Sequence, residues 1–270
     1  MTVKPFLRWA GGKNWFVKQV ERFTPPNINN YFEPFLGGGS IFFHLFELQR
    51  LNGDIVLNDY NPLLVNTYQI LKDHPNELFG ELLKFSNDKD SYYKIRNIVF
   101  ENNISSAAQF IYLNRTSFNG IYRVNKKGVY NVPYGFKKYS LLFDLDNMIK
   151  ISSILRNTQI ECGDFWDIRQ RIQQGDFIFV DPPYTVAHGK NGFIKYNQKL
   201  FAWDDQIRLK RFLDEINELG AYYLLTNAAH ESILDLFSQH SNRYELERSC
   251  VIGSDPEKRK KVKEYIFTNY

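Results

Sequence analysis

The sequence predicts an α/β fold with a largely parallel sheet, interrupted by an inserted region of different texture. Two observations carry the first half of that statement. Short apolar runs of strand length recur along the 270 residues, and helix-period stretches lie between several of them. Strands alternating with helices are the pattern of βαβ units, whose parallel sheet is covered by helices. The second half rests on residues 66–144, where the pattern becomes helical and then basic and turn-rich, as in NRTSFNGIYRVNKKGVYNVPYGFKK. The expected organisation is one core from residues 1–65 and 145–270, with 66–144 inserted for another task.

Taken in order, a helical stretch at 13–23 precedes a strand at Tyr31-Phe32 that runs toward Phe35. A helix over 40–51 follows, then a strand at Asp54-Ile55-Val56-Leu57. Beyond the insert, Phe177-Ile178-Phe179-Val180 is a buried strand. A helix over 204–219, closed by Gly220, leads to the strand Ala221-Tyr222-Tyr223-Leu224-Leu225, and Tyr265-Ile266-Phe267 is the last strand.

Composition narrows the class. With 43% hydrophobic and 24% charged residues the balance is that of a soluble globular chain, and no apolar run approaches the length of a membrane span. The net charge of +4 permits a nucleic-acid partner without demanding one. Two cysteines and five scattered histidines supply neither a disulfide framework nor a zinc site, so no metal is expected and a cytoplasmic location is.

Two motifs carry chemistry. In YFEPFLGGGS (31–40) a strand runs into glycines and then an apolar helix, and IVLNDY ends a second strand in Asp59. Glycine lets the backbone approach a ligand that a Cβ would exclude, and an acid at the end of the next strand can accept both hydroxyls of a ribose. A tight strand–helix turn is the plain alternative. A dinucleotide fingerprint would need glycine where Phe42 stands, and Glu33 sits badly beside a pyrophosphate. An adenosine ligand without phosphates, such as S-adenosylmethionine, suits the loop better.

The second motif is Asp181-Pro182-Pro183-Tyr184, which ends the apolar strand 177–180. Prolines lock the turn, so that the Asp181 carboxylate and the Pro182 carbonyl converge as acceptors for both N–H groups of a planar amine. Tyr184 offers a flat face for a base taken out of its stack. A strand-end turn with no such task is the alternative, and the preceding glycine loop and paired acid argue against it.

Together FLRWAGGK (6–13), FEPFLGGGS (32–40), LNDYN (57–61), YLNRTSFNGIYRVNKKGVYNVPYG (112–135), DPPY (181–184) and RKKVKEYI (259–266) resemble, nearly end to end, the Dam-type DNA adenine N6-methyltransferases. The resemblance implies a doubly wound, Rossmann-like methyltransferase sheet with an inserted, mainly helical target-recognition domain plus a β-hairpin. It implies S-adenosylmethionine as cofactor and double-stranded DNA as partner of a chain that acts as a monomer, with no membrane and no metal. Trp9 and Lys13 would contact the cofactor, and Glu33, Phe35, Gly37 and Gly39 would wall its methionine end. Asp59 would hold the ribose, Asp164 and Phe165 would lie beside the adenine ring, and Asp181 would serve cofactor and catalysis, the latter with Pro182 and Tyr184. Read alone, Trp9 is a core aromatic and Lys13 a helix-surface charge.

By the same resemblance Arg115, Phe118, Asn119, Arg123, Asn125 and Pro133 would contact DNA, with Phe118 wedging where the base leaves and Arg123 reading a flanking guanine. Arg259 and Lys260 would lie on a DNA-facing hairpin. A solvated basic hairpin turning at Lys126-Lys127-Gly128 is the alternative for the insert, and a solvated face for the run 258–263. The target expected is GATC. Two other functions compete: a catalytically inactive DNA-binding protein on this fold, and a cytosine N4-methyltransferase, a group that usually carries Ser where Asp181 stands.

Overall fold

The computed structural model describes residues 3–9, 11–125, 128–185, 201–239, 241–249 and 261–270. Among these, seven strands form one sheet: β1 (Tyr31–Glu33), β2 (Ile55–Asp59), β3 (Thr158–Cys162), β4 (Phe177–Val180), β5 (Tyr222–Ala228), β6 (Asn242–Ser249) and β7 (Lys261–Thr268). Their order is β3-β2-β1-β4-β5-β7-β6. β1 pairs with β4 and β4 with β5 in parallel, while β5, β7 and β6 pair antiparallel. The class is α/β as expected, and the sheet is mixed, with the antiparallel pair at its C-terminal end. The helices in chain order are α1 (Val17–Val20), α2 (Ser40–Glu47), α3 (Pro62–Asp73), α4 (Pro75–Leu82) and α5 (Lys89–Arg96). They continue with α6 (Asn103–Thr116), α7 (Leu145–Leu155), α8 (Trp203–Glu218) and α9 (Glu231–Phe237).

The chain divides into two compact units, one of Met1–Asn14, Leu36–Arg50 and Leu57–Gly163, the other of Trp15–Phe35, Leu51–Val56 and Asp164–Tyr270. In the first, α6 is the central helix and packs against α3, α4 and α5. It is buried nearly all round, through Ala107, Ala108, Phe110, Ile111, Tyr112 and Leu113, which is why it lacks a one-sided apolar stripe. Side-chain caps start α3, α5 and α6. Asn61 accepts from the Leu63 and Leu64 amides before Pro62 opens α3, and Asn102 does the same for α6 from Ile104 and Ser105. Asn114, almost fully buried on α6, docks the N-terminal strip: it accepts from the Arg8 amide at 2.8 Å and donates to the Arg8 carbonyl at 2.7 Å.

The second unit is organised by one apolar cluster. The residues of β4 are all buried, and Leu209, Phe212, Leu213 and Ile216 form the inward stripe of α8 at helical spacing. Phe212 also packs edge-on to Phe165 at 5.6 Å. Truncating such a ring to alanine costs about 3–5 kcal/mol in transfer and cavity terms.

The expected helix at 13–23 is instead broken into a 3-10 turn (Lys13–Trp15), α1 and a second 3-10 turn (Glu21–Phe23). Phe16, at its N-cap position, provides no side-chain acceptor, and the buried Phe16, Val20 and Phe23 set the path. The helix expected over 40–51 stops at Glu47, and Gln49 takes a left-handed turn. Two strands went unforeseen, β3 (TQIEC) and β6 (NRYELERS), because both carry more polar than apolar side chains.

Candidate active site

In the first unit the glycine loop, the acid at the end of β2 and Trp9 form one assembly. Gly37 has φ +49, and a Cβ there would stand 2.7 Å from Cδ1 and 2.8 Å from Nε1 of Trp9, so only glycine fits beneath the indole. The Gly37 amide donates to Asp59 Oδ2 at 2.9 Å, and the Asn61 amide donates to Oδ1 at 2.9 Å. Burial pushes the Asp59 carboxyl above its ordinary pKa, opposed by the amides of Gly37, Asn61 and Tyr60. Gly39 caps α2, and Tyr68 donates its hydroxyl to the Gly37 carbonyl at 3.1 Å.

Trp9 is neither a plain core ring nor a free one. It is half-buried and stacks on Tyr122 with centroids 5.5 Å apart and planes 16° from parallel, and it also meets Phe110 at 6.3 Å. Lys13 departs from the surface-charge reading. It is 2% exposed, and its ammonium donates to the Gly11 carbonyl at 3.0 Å.

In the second unit, β1 and β4 run side by side in parallel, and Glu33 and Asp181 mark the carboxyl ends of the two strands. Strand order reverses between these two, and ligands of open α/β sheets bind outside the carboxyl ends at such a point. Glu33 is buried and accepts from the Tyr31 hydroxyl at 2.7 Å. Phe35 is half-buried against Phe165 (5.4 Å) and Phe201 (5.6 Å). Asp164 caps the 3-10 turn Phe165–Arg171 through the Trp166 amide at 2.9 Å and forms a two-point ion pair with Arg208 at 2.9 and 3.3 Å. Phe165 is buried in the core below the Arg208 guanidinium, which lies 5.1 Å from the ring centre.

The turn after β4 is held at both ends by groups the sequence reading did not find. The hydroxyl of Thr226, fully buried on β5, donates to Asp181 Oδ1 at 2.7 Å. Tyr184 donates its hydroxyl to Glu264 Oε2 at 2.7 Å, and Arg248 Nε pairs with the other oxygen of the same carboxylate. Pro182 is buried between them. Beyond Tyr184, the buried Thr185, Gln206 and Asn227 are linked by hydrogen bonds of 3.4 and 3.1 Å. The signal was present in LLTNA: a Thr and an Asn inside an apolar strand must find partners when buried.

The insert residues expected to contact DNA lie in the first unit. Phe118 is 52% exposed, and its amide donates to the Pro133 carbonyl at 2.8 Å. Asn119 is exposed with φ +57. At Gly120, φ +64, a Cβ would stand 2.5 Å from Arg8 Cδ, so glycine lets the Arg8 stem lie across the turn. Arg123 is exposed, its Nε donating to Asn131 Oδ1 at 2.8 Å. Asn125 builds the hairpin instead of projecting from it, accepting from the Val129 amide at 3.1 Å on its side-chain oxygen. Arg115 is similarly occupied: its Nε donates to the Leu142 carbonyl at 3.0 Å and its guanidinium lies 4.8 Å from the Tyr139 ring centre. Pro133 is exposed. Arg259 and Lys260 lie outside the described residues. Lys263, at the end of the same basic run, is on β7 and pairs with Glu245 at 2.7 Å. Among the described residues no cluster of His, Cys, Asp or Glu is placed to hold a metal, and no helix is long and apolar enough to cross a membrane.

Similarity to known proteins runs the length of the chain. A "Type II methyltransferase M.MjaIII" from Methanocaldococcus jannaschii is 34% identical, the match covering 100% of both chains. A "Type II methyltransferase M1.LlaDCHI" from Lactococcus lactis is 33% identical over 100% of this chain and 96% of its own. A "DNA adenine methylase" from Vibrio cholerae is 32% identical over 83% of this chain and 81% of its own. Residues 9–252 match the family described as D12 class N6 adenine-specific DNA methyltransferase, and the chain belongs to that family.

Proposed function

We propose that the protein methylates the N6 amine of an adenine turned out of duplex DNA, with S-adenosylmethionine as donor and GATC as the site. The observation that carries this reading is the Asp181–Tyr184 turn at the carboxyl end of β4, anchored through Thr226 at one end and Glu264 at the other. The adenine amine is a poor nucleophile because its lone pair is delocalised into the ring. Asp181 and the Pro182 carbonyl accept its two N–H bonds and favour a pyramidal nitrogen. Tyr184 stacks on the extruded base. The residues assigned to the cofactor suit it: the Asp59 carboxylate offers acceptors for ribose hydroxyls, and Gly37 admits the Trp9 ring against the glycine loop. When bound, S-adenosylmethionine supplies a methyl group made electrophilic by its sulfonium. The N6 lone pair forms the new N–C bond, the electron pair of the broken C–S bond stays on sulfur, and N6 sheds one proton to solvent. No side chain need act as a base, because the methylated amine is acidic.

Recognition falls to the region 66–144, read as the target-recognition insert of a catalytic core formed by 1–65 and 145–270. Arg123 donates to O6 and N7 of a flanking guanine, and Phe118 fills the gap left by the base. The GATC assignment rests on the likeness of LNRTSFNGIYR and NVPYG to family members that methylate this palindrome.

The deciding experiment incubates the protein with labelled S-adenosylmethionine and duplex DNA, digests the product and maps the label. N6-methyladenine at GATC supports the whole reading. N6-methyladenine at another site removes the target alone, N4-methylcytosine removes the base, and DNA binding without label transfer would mean an inactive binding protein.

A further inference from the structure

Glu264 follows the basic run of the C-terminal motif and has no counterpart among the residues assigned above. It is 1% exposed on β7. Antiparallel register sets it opposite Leu246, and Arg248 opposite Val262, so Glu264 and Arg248 are diagonal neighbours on one face of the β6–β7 pair. On its other side β7 pairs with β5, Glu264 opposite Ala228 and Ile266 opposite Thr226. The groups that hold Tyr184 and Asp181 therefore stand on the same face of adjacent strands, two residues apart in register. Burying an ion pair returns little net stability, because desolvation offsets the attraction, and an apolar pair of similar size usually serves a fold as well. The charge at Glu264 needs another reason, and its contact with the Tyr184 hydroxyl at 2.7 Å supplies one.

We propose that Glu264, fixed by Arg248, is a positioning residue for methyl transfer: it locks the Tyr184 ring and enriches the face that the target adenine stacks on. This rests on the reading that Tyr184 meets the extruded base. A phenol that donates to a carboxylate carries more negative charge on oxygen and in its ring. The adenine begins neutral and becomes cationic as N6 gains the methyl group, before the proton leaves. An electron-rich face attracts that cation more than the neutral base, so the interaction strengthens toward the transition state and accelerates the step. Burial, then the charges of Asp181 and Glu264, hold the Tyr184 hydroxyl well above its ordinary pKa, which keeps it a proton donor to Glu264.

The test is single-turnover methyl transfer with Glu264→Gln, Tyr184→Phe and the double variant, together with cofactor and duplex affinity. Glutamine keeps an acceptor for the tyrosine and removes the charge. The expected result is a rate lowered about tenfold in E264Q with both affinities within about twofold. Tyr184→Phe should fall by a similar factor, and the double variant should be no slower than the slower single one. Wild-type rate in E264Q, or fully multiplicative losses in the double variant, would overturn the proposal. If E264Q does not fold, Arg248→Met with Glu264→Gln removes both charges, and the same loss is expected; an unchanged rate there overturns it equally. Tyr184→Ala separates the two readings: full transfer by that variant would show that Tyr184 does not meet the base, whatever Glu264 does.

Discussion

The Asp181–Tyr184 turn and the arm around Phe118–Pro133, proposed to read DNA, are held by opposite means. Buried side chains fix the turn from below: Thr226 from β5, Glu264 from β7 and, through Glu264, Arg248 from β6. The arm is fixed by its backbone. Phe118 donates to Pro133, Gly135 to Thr116 and Asn131 to Arg123, and bridges at Ser117–Tyr134 and Val124–Tyr130 complete it. Phe118, Asn119 and Arg123, the side chains proposed to read DNA, are then left exposed. Changing Asp181 or Tyr184 disturbs buried polar partners, whereas changing Phe118, Asn119 or Arg123 leaves the arm's backbone hydrogen bonds in place. On the proposed roles, chemistry is thereby locked and sequence preference is replaceable, which is the division a family of site-specific enzymes requires.

The largest effect expected from breaking this contrast is at Asp181. Asp181→Ala removes the acceptor for the amine and strands the Thr226 hydroxyl, and the rate should fall by at least about a hundredfold. Duplex affinity should stay near wild type, because the arm is untouched. Label-transfer kinetics showing more than about a tenth of the wild-type rate, a loss below about 1.4 kcal/mol, would remove Asp181 from the chemistry.

Asp59 comes next, and it tests the locked side of the comparison a second time. Its carboxylate ties the Gly37 amide as well as being assigned to the ribose. Asp59→Ala should weaken cofactor binding by about 1.5–3 kcal/mol, while duplex binding without cofactor changes little. Calorimetry returning an unchanged cofactor affinity would remove the ribose assignment. The folded-state pKa of Asp59 is raised, so its ionised form is favoured less in the folded chain than in the unfolded one. Its contribution to stability is therefore fullest below the unfolded value, near 4, and is lost as pH rises through the folded value. Asp59→Asn should accordingly flatten part of the stability loss on going from acid to neutral pH, read by melting temperature.

The same contrast explains what could be read in the sequence. β4 and β5 were legible because FIFV and YYLL are apolar runs of strand length, and α8 because its stripe keeps helical spacing and ends at Gly220. DPPY, the glycine loop and Asp59 were legible because each is a local motif whose geometry follows from adjacent residues. Thr226, Glu264 and Arg248 were not, since their partners lie 45, 80 and 16 residues away and only the pairing of β5, β7 and β6 brings them together. Lys13 misleads for a related reason: a lysine in a polar-looking stretch is read as exposed, and only packing shows it buried. Asn125 in the arm and Arg115 on α6 look like free donors in sequence, yet their side chains are used in holding the chain.

Arg123 marks the replaceable side of the comparison. Arg123→Ala should leave the melting temperature within about 0.5 kcal/mol of wild type in stability terms, since it is an exposed side chain. Discrimination at one flanking guanine should fall by about 1–3 kcal/mol, measured as the ratio of methylation rates on matched and substituted duplexes. Equal loss on every duplex would identify a phosphate contact instead.

The smallest effect, and the sharpest, is at Asn131. Its side-chain oxygen accepts from Arg123 Nε at 2.8 Å and its carbonyl lies 3.4 Å from Nη2, so one edge of the guanidinium is fixed before DNA arrives. A side chain ordered in advance loses less freedom on binding, and ordering one long side chain costs about 0.5–1.5 kcal/mol. Asn131→Ala removes the side-chain contact and keeps the backbone one, so discrimination at the base read by Arg123 should weaken by about half to one kcal/mol. The preferred base itself should not change, because the donors that meet guanine are unaltered. Combined with Arg123→Ala, the Asn131 change should add almost nothing, as two residues acting through one contact are not additive. A full additional loss in the double variant would mean that Asn131 meets DNA on its own account. The arm would then have two independent readers at this position, with neither serving as support for the other.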